Sequence, residues 1–135
     1  MQSLNQETLQ ESIEIWMRSF PKEAILLHSV EDKTLSFQES GDGSLNLVRN
    51  GESGDLYFHD PSSPKREAEE WAKSLNLTNE TVLYVYGVGL GYYYEAMEGW
   101  LKTNPEHAIV FIEDDLAALK MAFSTQLVLS MLKDS

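Results

Sequence analysis

The chain has 135 residues, 42% of them apolar, which is enough to build the core of one ordinary domain or of two small subdomains. Its 22 acidic residues outnumber 10 basic ones and give a net charge of −12, so we expect neither nucleic acid nor an anionic membrane as a partner, because both are bound through Lys and Arg. The absence of cysteine excludes disulfides and thiolate metal sites.

The pattern of the first 60 residues predicts a helix followed by a small antiparallel sheet. Apolar residues recur at helical spacing through 4–20, and Pro21 marks the end of that helix. The run 23–30 is apolar without a clear period, so both strand and helix remain open for it. Residues 34–59 alternate apolar and polar side chains between turns rich in Gly and Asn, which predicts an antiparallel meander.

From Pro64 onward the pattern changes to alternating helices and strands. Pro64 suits the first turn of a helix, because its missing N–H is not needed there. The apolar runs 81–86 and 107–113 predict parallel strands buried on both faces, each followed by a helix. Residues 125–134 predict a further short helix.

The predicted fold class is α/β, in two units. An N-terminal helix and a small antiparallel meander form an α+β subdomain over 1–60, and 61–135 supplies the first strand–helix–strand–helix of a Rossmann-like parallel sheet. Two strands make only a small parallel sheet. We therefore expect that the chain is part of a longer polypeptide, or that a partner chain covers its sheet edge and the apolar face of 127–132.

Three glycines at alternate positions, Gly87, Gly89 and Gly91, lie where the first parallel strand meets its helix. Backbone without Cβ atoms can approach a ligand closely, and free N–H groups facing an open hollow at a helix start favour a phosphate. Glu113 ends the next strand, at about the 20-residue spacing of the acid that holds ribose in Rossmann sites. The combination predicts a nucleotide site, with Tyr92 beside it.

The motif departs from the common fingerprints and leaves three functions open. It is GxGxG rather than GxGxxG, because position 92 is Tyr. Methyltransferases that use S-adenosylmethionine often carry GxGxG, usually with an acid two residues before the first glycine, where this chain has Val85. The alternatives to a nucleotide site are therefore a fragment of such a methyltransferase, and a purely structural turn in a non-catalytic self-association or interaction module.

Other polar and aromatic residues are weaker candidates. Tyr92, Tyr93 and Tyr94 span a helix start and cannot all face one way, so one could stack on a base or sugar while the others pack. His59 and Glu67 could line a pocket at the junction of the two units, although a turn histidine is commonly a surface residue.

The sequence assigns neither a catalytic residue nor a metal site. It has no Ser-His-Asp order and no HExxH motif. Glu113, Asp114 and Asp115 are adjacent and diverge as a helix begins, so we expect helix-start charges rather than a metal site. No covalently bound cofactor is expected.

The expected cellular compartment follows from the pattern of the N-terminus. Residues 1–12 are polar, without the basic and apolar regions of a signal peptide, and no apolar run reaches the roughly 18 residues of a membrane span. The simplest expectation is the cytoplasm.

Three stretches in order resemble one known family. LYFHDPSSPKREAEEW, VYGVGLGYYYEAM and VFIEDDLAALKMAF are similar to segments of the motility accessory factor (Maf) flagellin glycosyltransferases, and of related proteins whose core is similar to the hydroxymethylpterin diphosphokinase MptE. The resemblance covers roughly residues 40–133. The matching positions are Tyr57, His59, Pro64, Glu67, Ala68, Gly87, Gly89, Gly91, Tyr92, Ile112 and Glu113.

The resemblance implies a transferase, with two departures and a shorter chain. Asp60 stands where the family tends to have Ser, Asp114 where it has Pro, and the family core continues beyond residue 135. It implies a nucleotide-sugar or nucleoside phosphate ligand and glycosyl transfer from a CMP-activated nonulosonic acid to a protein hydroxyl. It also implies that this N-terminal portion is inactive alone. We also expect that the chain can form a homodimer.

Overall fold

The structure is a computed structural model that describes residues 4–134, so residues 1–3 and 135 of the two predicted units lie outside the described residues. Helices and two small sheets alternate along the chain. The elements are α1 (Gln6–Met17), α2 (Pro21–Ser29), β1 (Leu35–Glu39), β2 (Leu45–Arg49), β3 (Leu56–Tyr57), α3 (Pro64–Ser74), β4 (Val82–Tyr86), α4 (Tyr92–Thr103), β5 (Ala108–Ile112), α5 (Leu116–Phe123) and α6 (Gln126–Lys133).

Two helices form the N-terminal segment, for which the sequence pattern predicts one helix over 4–20 and leaves 23–30 open. The Asn5 side chain accepts the N–H of Thr8 at 3.1 Å and begins α1, which ends at Met17 rather than at residue 20. Pro21 opens α2, because its fixed φ and missing N–H suit a first helical turn. The run 23–30, for which strand and helix were both open, is therefore helical almost throughout.

The predicted antiparallel meander within 34–59 is confirmed. β1 pairs with β2 and β2 with β3, both antiparallel, and Phe37 lies opposite Leu47 in the register. Gly43 and Gly54 adopt positive φ in the two turns, as the Gly-rich turn sequences predict.

The parallel pair is also confirmed, but its predicted burial on both faces is wrong. β4 and β5 pair in parallel, with Tyr84 opposite Val110. Side chains alternate along both strands between half-buried and exposed positions. Tyr84 is 68% exposed and Tyr86 83% exposed, so no element that the structure describes covers their face of the sheet. The chain thus has a mixed α/β fold with one uncovered sheet face.

A single hydrophobic cluster draws on both predicted units. It includes Leu9 and Leu47 from the first unit and Leu90, Ala122 and Val128 from the second. The N-terminal helices therefore pack on α5 and α6 and share their core. Of the helices described, none is by itself long and apolar enough to cross a membrane; α5 and α6 reach that length and hydrophobicity only together, across a 92° bend.

Candidate functional site

The glycine corner, residues 87–91, connects the end of β4 to the start of α4. Gly87, Gly89 and Gly91 have φ of +94°, +56° and +92°. These left-handed conformations favour glycine, and Gly91 serves as the N-cap of α4. The three glycines are therefore required by the path of the chain, whether or not a ligand binds.

Internal acceptors occupy four of the five N–H groups of the glycine corner, those of residues 87, 88, 90 and 91. The Val88 N–H donates to Glu113 Oε1 at 3.2 Å and the Leu90 N–H to His59 Nε2 at 3.0 Å. The Gly87 N–H donates to a backbone carbonyl of β5 at 2.8 Å, and the Gly91 N–H to the Val88 carbonyl at 3.3 Å. The hollow that was expected to stay open for a phosphate thus contains protein groups.

The His59 side chain fills the space over Gly89. A Cβ placed on Gly89 would lie 2.5 Å from His59 Cε1 and Nε2, so the imidazole packs directly on the glycine backbone. His59 is only 3% exposed and is not the surface residue that its turn sequence suggested. Its ring also meets that of Tyr92 edge-on, with 4.9 Å between centroids.

Asn46 holds the backbone of His59 from the neighbouring strand. The His59 N–H donates to Asn46 Oδ1 at 3.1 Å, and Asn46 Nδ2 donates to the His59 carbonyl at 2.9 Å. Asn46 is buried in β2, where its amide would be unfavourable without these bonds. Sequence reasoning missed this residue, although a polar side chain within an apolar strand was a detectable signal.

Burial keeps His59 neutral. It lowers the pKa of His59 to about 4, so the ring carries one proton near neutral pH. Because Nε2 accepts from Leu90, that proton lies on Nδ1, which is buried without a hydrogen-bond partner. Glu67 Oε1 lies 3.8 Å from Nδ1, beyond hydrogen-bond distance, and accepts the Asp60 N–H at 3.0 Å. A neutral imidazole makes this pair a polar contact rather than a salt bridge.

Glu113 lies at the tip of β5 beside the glycine corner, where the sequence predicts it. Its second oxygen, Oε2, accepts the Asp115 N–H at 3.2 Å, so both oxygens bind the chain's own backbone. Asp115 accepts the Ala118 N–H and caps α5, as expected for a helix-start charge. Arg49, missed in the sequence, contacts Asp115 at 2.6 Å. Together these residues form a polar corner that is satisfied internally.

The three tyrosines have separate surroundings. Tyr92 is buried, its hydroxyl donates to the Leu45 carbonyl at 2.5 Å, and burial raises its pKa. One edge of Tyr92 borders a shallow groove of about 270 Å³ that also contains Lys65. Tyr93 packs edge-on against Trp71 with 5.0 Å between centroids, and the Tyr94 hydroxyl donates to Asp134. The mixed roles agree with the expectation that the three side chains diverge.

The structure brings His59, Gly89, Tyr92 and Glu113 together at the carboxyl end of β4, and Glu67 lies beside His59. Their role in nucleotide binding stays a prediction. Within residues 4–134, no group of three or more His, Asp and Glu side chains could hold a metal ion. No family model, curated protein or solved structure matches this chain.

Proposed function

We propose that this chain acts as an interaction module whose uncovered sheet face is buried by another polypeptide. The bare face consists of the outward side chains of β4 and β5, at positions 82, 84 and 86 and 108, 110 and 112. The observation that carries the proposal is the exposure of Tyr84 and Tyr86 on a parallel pair, because parallel sheets in proteins are covered on both faces.

The glycine corner has a structural role in this proposal. His59 and Glu113 accept the N–H groups of Leu90 and Val88 at the corner, and Gly89 has no room for a Cβ beside His59. A phosphate at those N–H groups would have to displace a buried imidazole and compete with a carboxylate of like charge. Both steps oppose binding.

Photocrosslinking tests the proposed interaction. A photoreactive amino acid replaces Tyr84, and in the matched control it replaces Ile25, which is 69% exposed on α2. We expect position 84 to yield one predominant crosslinked peptide, from a second copy or from another protein, with Tyr86→Ser abolishing it. The same diffuse products from both positions would contradict the proposal.

A second candidate is the N-terminal part of a Maf/MptE-like transferase that binds a nucleotide-sugar or nucleoside phosphate. It is favoured by the contact between Glu113 at the tip of β5 and Val88 in the glycine corner. A carboxylate beside a glycine turn at neighbouring strand tips is the Rossmann arrangement for ribose and phosphate. In this candidate Gly87, Gly89 and Gly91 approach the phosphate and Tyr92 lines the site. Glycosyl transfer would require a longer polypeptide.

A matched pair of variants tests the second candidate. Glu113→Gln removes the charge while keeping an oxygen that accepts the Val88 N–H, and Glu106→Gln makes the same change at the exposed, opposite end of β5. Thermal shifts with CMP, CDP, ATP and S-adenosylhomocysteine are measured for both. A nucleotide that stabilises wild type and Glu106→Gln, but not Glu113→Gln, supports this candidate; the absence of any shift contradicts it.

A further inference from the structure

The dimensions of the bare face fit one helix. Each strand has five residues, and at about 3.3 Å per residue the face is about 17 Å long. Two strands about 5 Å apart give it a width of about 10 Å, close to the diameter of an α-helix with its side chains. A helix of about 11 residues, or three turns, would span it. Standard interfaces between two globular proteins need far more area, about 800 Å² on each partner.

The charges at the ends of the bare face have one sign. Exposed Glu80 and Glu106 each stand two residues before the paired Val82 and Ala108, and exposed Asp114 stands two residues after the end of β5. The only Lys or Arg between Lys73 and Lys120 in the sequence is Lys102, which is paired with Glu98 on α4 at 3.8 Å. An apolar strip is thus framed by carboxylates at both ends.

We infer that the occupant of the bare face is a single amphipathic helix of a partner protein, apolar along one side and carrying Lys or Arg at both ends. This inference rests on the proposed function, because it specifies the polypeptide that buries the bare face. Basic residues at the helix ends would lie opposite the carboxylates that frame the strip, which sets the helix along the strands. A second copy is disfavoured, because it would bring two chains of net charge −12 and two acidic frames together.

Designed helical peptides test the inference with the full chain. The probe has about 14 residues, with leucines along one side and two lysines at each end; the matched peptide has glutamates in place of the lysines. By fluorescence anisotropy we expect the lysine-ended peptide to bind saturably and at least about tenfold more tightly than the glutamate-ended one. Tyr84→Ser should weaken binding about tenfold or more, while Ile25→Ser, at an equally exposed apolar position, should leave it unchanged.

Each other outcome overturns the inference. Equal affinity of the two peptides, no saturable binding of the lysine-ended peptide, or no effect of Tyr84→Ser would each do so. Crosslinking from position 84 to a second copy, with no peptide binding, would refute the basic helix as the occupant but would still support an interaction module. Non-specific crosslinking together with no peptide binding would refute both the basic helix and the interaction module.

Discussion

His59 Nε2 accepts the backbone N–H of Leu90 at 3.0 Å, across 31 residues of sequence. The bond joins the segment after β3 to the glycine corner, and the Asn46 amide fixes the histidine backbone on the other side. The imidazole thus connects the antiparallel sheet to the parallel one. A side chain from the first half of the chain thus packs on the glycine corner and binds one of its N–H groups.

Truncating the histidine should destabilise the fold. His59→Ala leaves the Leu90 N–H without its acceptor and opens a cavity over Gly89, so we expect the free energy of unfolding to fall by about 2–4 kcal/mol. Urea unfolding followed by circular dichroism measures this. The matched control is His28→Ala at an exposed position of α2, which should change the stability by less than about 0.5 kcal/mol. Similar losses in the two variants would refute the role of His59.

The clash between a side chain at residue 89 and the imidazole should appear as non-additivity. Gly89→Ala is strained by its φ of +56° and by a Cβ 2.5 Å from the His59 ring. In a double-mutant cycle, we expect Gly89→Ala to cost less in the His59→Ala background than in wild type. Only the backbone strain of about 1–2 kcal/mol remains once the ring is removed. Gly99→Ala is the control, because nothing surrounds Gly99 in α4 and alanine there should stabilise the helix by about 0.5–1 kcal/mol. Strict additivity would mean that the ring moves aside freely.

The buried imidazole should give stability a defined pH dependence. The folded pKa of His59 is about 4, below its ordinary 6.5, so the folded state binds fewer protons. The contribution of the neutral His59 ring to the free energy of unfolding is complete above pH 6.5. It is lost as the pH falls towards 4, which lowers the free energy of unfolding by about 3 kcal/mol. Hydrogen bonds from Ser44 and Ser63 lower the pKa of Asp42 to about 2. Its contribution to stability is therefore lost in a different range, below pH 3.8.

A glutamine at position 59 isolates the imidazole's share of that pH dependence. His59→Gln can still offer an oxygen to the Leu90 N–H but does not titrate, so its stability should fall less between pH 6.5 and pH 4 than that of wild type. Urea unfolding at several pH values compares the slopes. Parallel curves for the two proteins would show that His59 is not buried as a neutral ring.

The bare face should separate folding from association. Tyr84→Ser with Tyr86→Ser alters two exposed positions, so the free energy of unfolding of the monomer should change little, by about 0.5 kcal/mol per site at most. Complex formation through the face should nevertheless be lost, because the apolar area that drives it is removed. Chemical unfolding measures the stability, and fluorescence anisotropy with the lysine-ended peptide measures complex formation. A large loss of monomer stability would show that both tyrosines pack within the chain.

Local patterns account for most of the secondary structure. The alternation and Gly turns of 34–59 predict the meander, and Pro64 begins a helix as its chemistry predicts. Pro21, predicted only as the end of the first helix, also begins the next one. The strands β4 and β5 follow from their apolar runs. Their apolar composition also predicted burial on both faces, which is wrong. Composition shows what a strand can pack against, and it does not show whether a covering layer is present.

Local sequence patterns could not predict the contacts at the glycine corner, because these contacts join residues far apart in the sequence. Glu113 was placed correctly, because strand length and the parallel arrangement bring its tip to the turn. The acceptor for Leu90 is His59, which no local period connects to residue 90. The glycine motif alone could not distinguish N–H groups open to a ligand from N–H groups satisfied by the fold, because both require the same backbone path.

Photocrosslinking from position 84 is the sharpest test of whether the β4–β5 face is a docking surface. We expect one predominant crosslinked peptide from position 84, its loss with Tyr86→Ser, and no equivalent from position 25. Indistinguishable, diffuse products from positions 84 and 25 would contradict it.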